Sequence, residues 1–215
     1  MCSNKIVTVT KKEYLKNPCR AASVPYWKFM EITVPNEMKI LHHDDYREAE
    51  YQQYTDTPYF RLIHDLQDLS VPSIPEGFSI CNATLRDFAE HINKCYESIC
   101  ISESELQNYI IRRVYNADLW LAVKNNLTGE IAATGIGEFD REVGEGVLEW
   151  IQVSRNYRRC GLGGYIVGEL LCRIKKIADF ATVSGQCGNP TNPQKLYRRC
   201  GFVGEDIWHI LRKKV

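Results

Sequence analysis

A chain of 215 residues can bury one substantial core, and 44% hydrophobic with 25% charged residues is ordinary for a soluble globular protein. Lysine plus arginine and aspartate plus glutamate number 27 each, so no global charge directs the chain to nucleic acid or a membrane surface. No run of about 18 apolar residues offers a spanning helix, and the opening MCSNKIVTVTKKEY lacks the apolar stretch of a secretory signal, which makes cytoplasmic the default expectation. Nine cysteines without a C-x-x-C pair supply no zinc-type spacing; reduced thiols packed as small hydrophobes, and no metal, are expected.

Up to about residue 76 the sequence is punctuated by proline and rich in aromatics (NPCRAASVPYWKF, later VPSIPEG), with strand-like runs MKILHH and PYFRLIHDL between. Its apolar content is too high for a disordered tail. The prolines at 72 to 75 make a boundary, giving a packed extension over 1–76 and a second unit over 77–215. From residue 78 the pattern becomes regular. FSICNA reads as a strand; Thr84 with Asp87 opens a helix, and Ser102 with Glu105 opens a second that runs to about Tyr115. LWLAV, the turn from Asn125 to Gly129, and EIAATGIGEF form a hairpin, followed by the strand VLEWIQV. A helix over about 164 to 178 keeps Ile166, Val167, Leu170, Leu171, Ile174 and Ile177 on one face. FATVSGQ is a strand, NPQKLYRRC a short helix and VGEDIWHILRKK a last strand. The expected class is mixed α/β (α+β), with a mostly antiparallel central sheet flanked by helices.

Charge is unevenly spread. Residues 31 to 68 hold nine acidic side chains against three basic, whereas 154 to 176 hold six basic against Glu169. An anionic cofactor at the basic segment and, more weakly, a cationic substrate suit that pattern.

The segment Arg158-Arg159-Cys160-Gly161-Leu162-Gly163-Gly164 joins a strand to the amphipathic helix. Glycines let backbone N–H groups approach an anion, the helix N-terminus adds positive partial charge, and the arginines add charge-assisted contacts. A dinucleotide fingerprint fails because Ile166 stands where its last glycine belongs, and no G-K-[ST] follows for a P-loop. What remains is R-x-x-G-x-G, through Arg158, Gly161 and Gly163, with Val153 and Tyr157 ahead of it. Downstream, Leu196-Tyr197-Arg198-Arg199-Cys200-Gly201-Phe202 stands behind Asn189 and Asn192.

These two motifs at this separation resemble the GNAT superfamily of N-acetyltransferases, whose V-x-P-x-[YF]-R-x-x-G-x-G and L-Y-x-x-x-G-F are matched here with Arg155 in place of the proline. The resemblance covers roughly residues 78 to 213. It implies the acyl-CoA N-acyltransferase fold, acetyl-CoA as co-substrate and a primary amine as acceptor. It also implies a coenzyme site at Ile151, Gln152, Val153, Arg158, Arg159, Cys160, Gly161, Leu162, Gly163, Gly164 and Tyr197, with Asn189 or Asn192 beside it. By the same resemblance the fourth strand splays from the fifth, exposing backbone N–H groups at Ile151 to Val153, and Tyr197 is the general acid or an aromatic packing the coenzyme tail. Glu149, four residues before Val153 and so on its face in a regular strand, is the general base or a solvated strand-edge carboxylate; His209 and Glu138 are further candidates. Either monomer or homodimer suits the scaffold. A non-catalytic acyl-CoA sensor, and a protein-interaction role for the acidic extension, are the alternatives of a different class.

Overall fold

Three T/S-x-x-D/E signatures start helices in the computed structural model, which describes residues 9–70, 72–96 and 99–214. At each, the hydroxyl accepts from the backbone three residues on, and the carboxylate there accepts from the capping residue's N–H: Thr10 with Glu13, Thr84 with Asp87, Ser102 with Glu105. The helices are α1 (Lys11–Lys16), α2 (Pro18–Ala21), α3 (Tyr26–Glu31), α4 (Leu85–Cys95), α5 (Glu103–Ile110), α6 (Leu162–Ile174) and α7 (Pro193–Arg199). The strands are β1 (Met38–His42), β2 (Tyr54–His64), β3 (Phe78–Cys81), β4 (Trp120–Asn125), β5 (Ile131–Asp140), β6 (Glu145–Val153), β7 (Phe180–Gln186) and β8 (Val203–Lys213).

All eight strands form one sheet in the order β1-β8-β2-β7-β6-β5-β4-β3. Only β6 and β7 run parallel; every other neighbouring pair is antiparallel. The segment set apart by composition therefore supplies two strands of the common sheet, and β2 lies inside it, hydrogen-bonded to β7 on one edge and β8 on the other. Its alternation explains why: Phe60 and Leu62 are fully buried in the core beneath α6 and α7, while Arg61 faces the other side.

α6 covers one face of the sheet so closely that a Cβ on Gly135 of β5 would lie 2.5 Å from Ile166 Cγ2 and 2.9 Å from Leu170 Cδ1. On the opposite face Phe88 and Ile92 of α4 and Leu106 of α5 pack against Ala122 and Ile136. α5 ends at Ile110, short of Tyr115, because the two arginines that follow turn back to β5: Arg112 Nη1 lies 3.1 Å from Glu138 Oε1, and Arg113 Nη1 lies 2.6 Å from Asp140 Oδ1. The cysteines among the described residues are free thiols; Cys19 is buried, whereas Cys100 and Cys160 are exposed rather than packed.

A buried ion pair ties the N-terminal helices to this sheet. Arg61 Nη2 donates to Glu145 Oε1 at 3.0 Å, with both side chains almost wholly out of water. The Glu145 carboxylate also accepts from Tyr14 Oη of α1 at 2.8 Å, Thr182 Oγ1 of β7 at 2.5 Å and the Tyr26 N–H of α3 at 3.2 Å. Burial and the Glu145 charge push the Tyr14 phenol far above its ordinary value, so it stays a donor. Removing one partner strands the other charge in a dry interior. Arg61→Met is expected to cost about 3–5 kcal/mol in a urea melt, and the double replacement Arg61→Met with Glu145→Met to recover part of it. An unchanged midpoint for the single variant would mean that water reaches Glu145.

Candidate functional site

The parallel ladder between β6 and β7 stops at Leu148↔Val183. Beyond it β7 continues along β2, with Ser184 opposite Arg61 and Gln186 opposite Tyr59, while β6 continues along β5 to Val153 opposite Ala133. The two strands part there. The Ser154 N–H donates to Ala132 O at 2.9 Å, so alternation sends the N–H groups of Gln152 and Trp150 towards β5 as well. Those of Ile151 and Val153 then point to the opposite edge, into the gap left by β7.

At the end of β6 the chain turns through Arg155 to Gly161 into α6. Gly161 caps the helix at φ +84° in the left-handed region, and Arg159 also has positive φ, 64°. Among the described residues no side chain accepts from the first turn of α6, so the N–H groups of Leu162, Gly163 and Gly164 are available to an anion. Arg158 Nε donates to Val153 O at 3.2 Å, which draws its guanidinium back along the turn; Cys160 and Arg159 are exposed on its outer side. Leu162 is buried beneath it. The glycines divide the work: a Cβ on Gly163 would meet Leu196 Cδ2 at 3.2 Å, so this residue lets α6 approach α7, whereas a Cβ on Gly164 would meet open space.

α7 carries Tyr197 into the core beside the gap, its ring 6.2 Å from Phe60 and 5.8 Å from Phe202 between centroids. Burial pushes its phenol well above the ordinary value, so the hydroxyl keeps its proton at neutral pH. Asn189 and Asn192 both serve the backbone here. Asn189 Oδ1 accepts from Thr191 N at 2.9 Å, and Asn192, at φ +48°, caps α7 by accepting from Lys195 N at 3.3 Å.

Glu149 is not where a regular strand would put it. Ile136 pairs with Trp150 and Gly137 with Leu148, which leaves Glu149 as the extra residue of a β-bulge. The bulge turns its carboxylate away from α6, where Ile151 and Val153 pack, towards α3, with Lys28 Nζ 3.7 Å away. Glu138 lies on that same side, buried. Desolvation first, then the charge of Glu149, pushes its carboxyl up to about 8 against the opposing pull of Arg112. His209 is placed elsewhere: its Nδ1 lies 2.7 Å from Asp56 Oδ2, its Nε2 3.0 Å from His43 Nδ1, and its ring stacks 3.8 Å from that of Tyr46.

Two cavities flank β6. One, of about 400 Å³, opens beside the bulge between the loop before α3 and strands β2, β6, β7 and β8. Lys28, Tyr59, Glu149, Ser184, Trp208 and Arg212 are among its lining residues. Glu149 and Tyr59, an aromatic of the extension, stood out in the sequence; for the β8 residues the alternation of Trp208, Ile210 and Arg212 was the available signal. The other cavity, of about 450 Å³, lies between α4, the β4–β5 turn and residues 154 to 157. His91 stands in its wall, held between Thr134 Oγ1 at 2.9 Å and Ser154 Oγ at 2.8 Å, and burial lowers its pKa to about 4. Among the described residues, no group of three or more His, Cys, Asp or Glu could hold a metal ion, and no helix is long and apolar enough to cross a membrane.

The family model of the acetyltransferase (GNAT) domain matches residues 115–204. Among solved structures, a GCN5-related N-acetyltransferase from Sphaerobacter thermophilus superposes with a TM-score of 0.71 at 18% identity, over 84% of this chain and 61% of that one. A Drosophila protein gives 0.59 at 19% identity, over 78% and 54% of the two chains. A GCN5-related N-acetyltransferase from Kribbella flavida gives 0.55 at 18%, over 83% and 68%. The chain thus spans only about half to three fifths of the first two structures it resembles. No curated protein matches its sequence. Residues 115–204 thus match the acetyltransferase (GNAT) domain model, and the sheet with its splayed parallel pair has the acyl-CoA N-acyltransferase fold of these structures.

Proposed function

We propose that the protein is an acetyl-CoA-dependent N-acetyltransferase acting on a primary amine. One observation carries the reading: two N–H groups, at Ile151 and Val153, without a partner among the described residues, face a gap that leads to the glycine-capped, arginine-flanked start of α6. The gap is an extended groove with donors along one wall, and the helix start is an anion cradle at its end. A thioester tail followed by a pyrophosphate fits both. When bound, acetyl-CoA supplies an acetyl group activated as a thioester. The Ile151 and Val153 N–H groups would hold the tail and polarise the carbonyl, as fixed donors at a developing oxyanion do. Glu149, on the far side of β6, would take the proton of the incoming ammonium, and Tyr197 would return one to the departing thiolate.

A Gly164→Glu variant tests the cradle with little cost to the fold, because its Cβ projects into open space. The added carboxylate competes for the N–H groups and repels phosphate. Calorimetric titration with acetyl-CoA is expected to show affinity at least about 10-fold weaker, the loss of one charge-assisted contact. Gly164→Ala should bind normally and melt slightly higher. Equal affinity in the Glu variant would remove the coenzyme from this turn. Thiol release that rises on adding amines separates a transferase from a mere acyl-CoA binder.

A further inference from the structure

Charge in the 400 Å³ cavity does not match a polycationic acceptor. Among the described residues, none of the nine acidic ones between 31 and 68 lines it, and the one carboxylate in its wall is Glu149. Three of the described cations line it, and they differ. Arg61 is neutralised by Glu145 at 3.0 Å, and Lys28 stands 3.7 Å from Glu149. The Arg212 side chain alone has no hydrogen-bond or ion-pair partner among the described residues. It sits near the end of β8, on the face shared with Trp208 and Ile210, roughly 13 Å along the strand from Trp208. The cavity thus has a carboxylate at the β6 end, an apolar and aromatic floor of Tyr59, Trp208 and Ile210, and an uncompensated guanidinium at the β8 end.

Taking the transferase reading of the gap as its basis, we infer that the acceptor is an elongated amine carrying an anionic group, carboxylate or phosphate, several bonds from the reacting nitrogen. Its amine lies at Glu149 and its anion at Arg212, so Arg212 determines specificity without touching the reacting atoms. A guanidinium offers a planar fork that either anion can occupy. Diamines and polyamines would bring a second positive charge to Arg212 and be rejected.

The test uses matched acceptors of several chain lengths: ω-amino carboxylates, ω-aminoalkyl phosphates, the corresponding ω-amino amides, and diamines. Acetyl-CoA-dependent thiol release and the change in tryptophan fluorescence on acceptor binding are both read, since Trp208 lines the cavity. The anion-bearing members should show kcat/KM about 10-fold above their amides, with diamines lowest; whether carboxylate or phosphate leads identifies the anion. Arg212→Gln should erase the difference by raising KM while kcat stays unchanged. Equal use of acids, amides and diamines, or a preference that survives Arg212→Gln, overturns the inference and leaves the transferase reading intact. An anion preference in binding with no thiol release from any amine upholds the preference and defeats the transferase reading.

Discussion

A chain beginning at residue 77 is expected to yield no soluble, cooperatively folding protein. Such a deletion removes β1 and β2, the two strands that flank β8, so Val203–Lys213 loses every sheet partner it has. The edge of β7 from Ala181 to Gln186 is left bare, an invitation to pair with other chains. Phe60, packed on Tyr197 and on Gly185, leaves with β2, and a large aromatic lost from a core costs about 3–5 kcal/mol by itself. Glu145 is also stripped of Arg61, Tyr14 and the Tyr26 N–H together. Against a total stability of about 5–15 kcal/mol, no fold survives this sum. Soluble yield and a thermal melt by circular dichroism are the measurements. A monomeric truncated chain with a sharp transition near that of the full protein would show that β8 finds another partner.

Replacing Tyr197 with Phe should lower kcat about 10²-fold and leave the affinity for acetyl-CoA nearly unchanged. The ring stays between Phe60 and Phe202, so the core is kept and only the hydroxyl is lost. That hydroxyl holds its proton through the physiological range because burial raises its pKa. The hydroxyl is therefore present in its protonated form, as a donor to a departing thiolate has to be. Single-turnover rates with a good acceptor are the readout. Full turnover in the Phe variant would leave Tyr197 a packing residue and move the acid to another group or to water.

Much of this was legible where local signals are dense. Arg158, Gly161 and Gly163 marked the start of α6, and Leu196-Tyr197 with Gly201-Phe202 marked α7 and its return, since these spacings serve close backbone approach. The capping boxes at Thr84 and Ser102 announced α4 and α5. Thr10 with Glu13 carries the same signature for α1, but helices of four to six residues, as α1 to α3 are, leave no periodic face to detect. PYFRLIHDL reads as a strand, yet nothing local says that it pairs with residues beyond 180. The bulge at Glu149 is equally silent: an inserted residue depends on the ladder with β5, and it reversed the side on which the carboxylate stands. The acidic surplus of residues 31 to 68 is a sum, whereas the cavity feels only the side chains that reach it.

The place of β2 also governs how the molecule can be made. Tyr54–His64 leaves the ribosome well before its two neighbours in the sheet, Phe180–Gln186 and Val203–Lys213. An apolar strand with Phe60, Leu62 and Ile63 must wait, both edges open, until those two strands have been made, so this sheet cannot close vectorially. Loop closure over more than 100 residues makes the closing step slow relative to the local hairpin of β4 and β5, and the waiting strand is the segment a holding chaperone would be expected to cover.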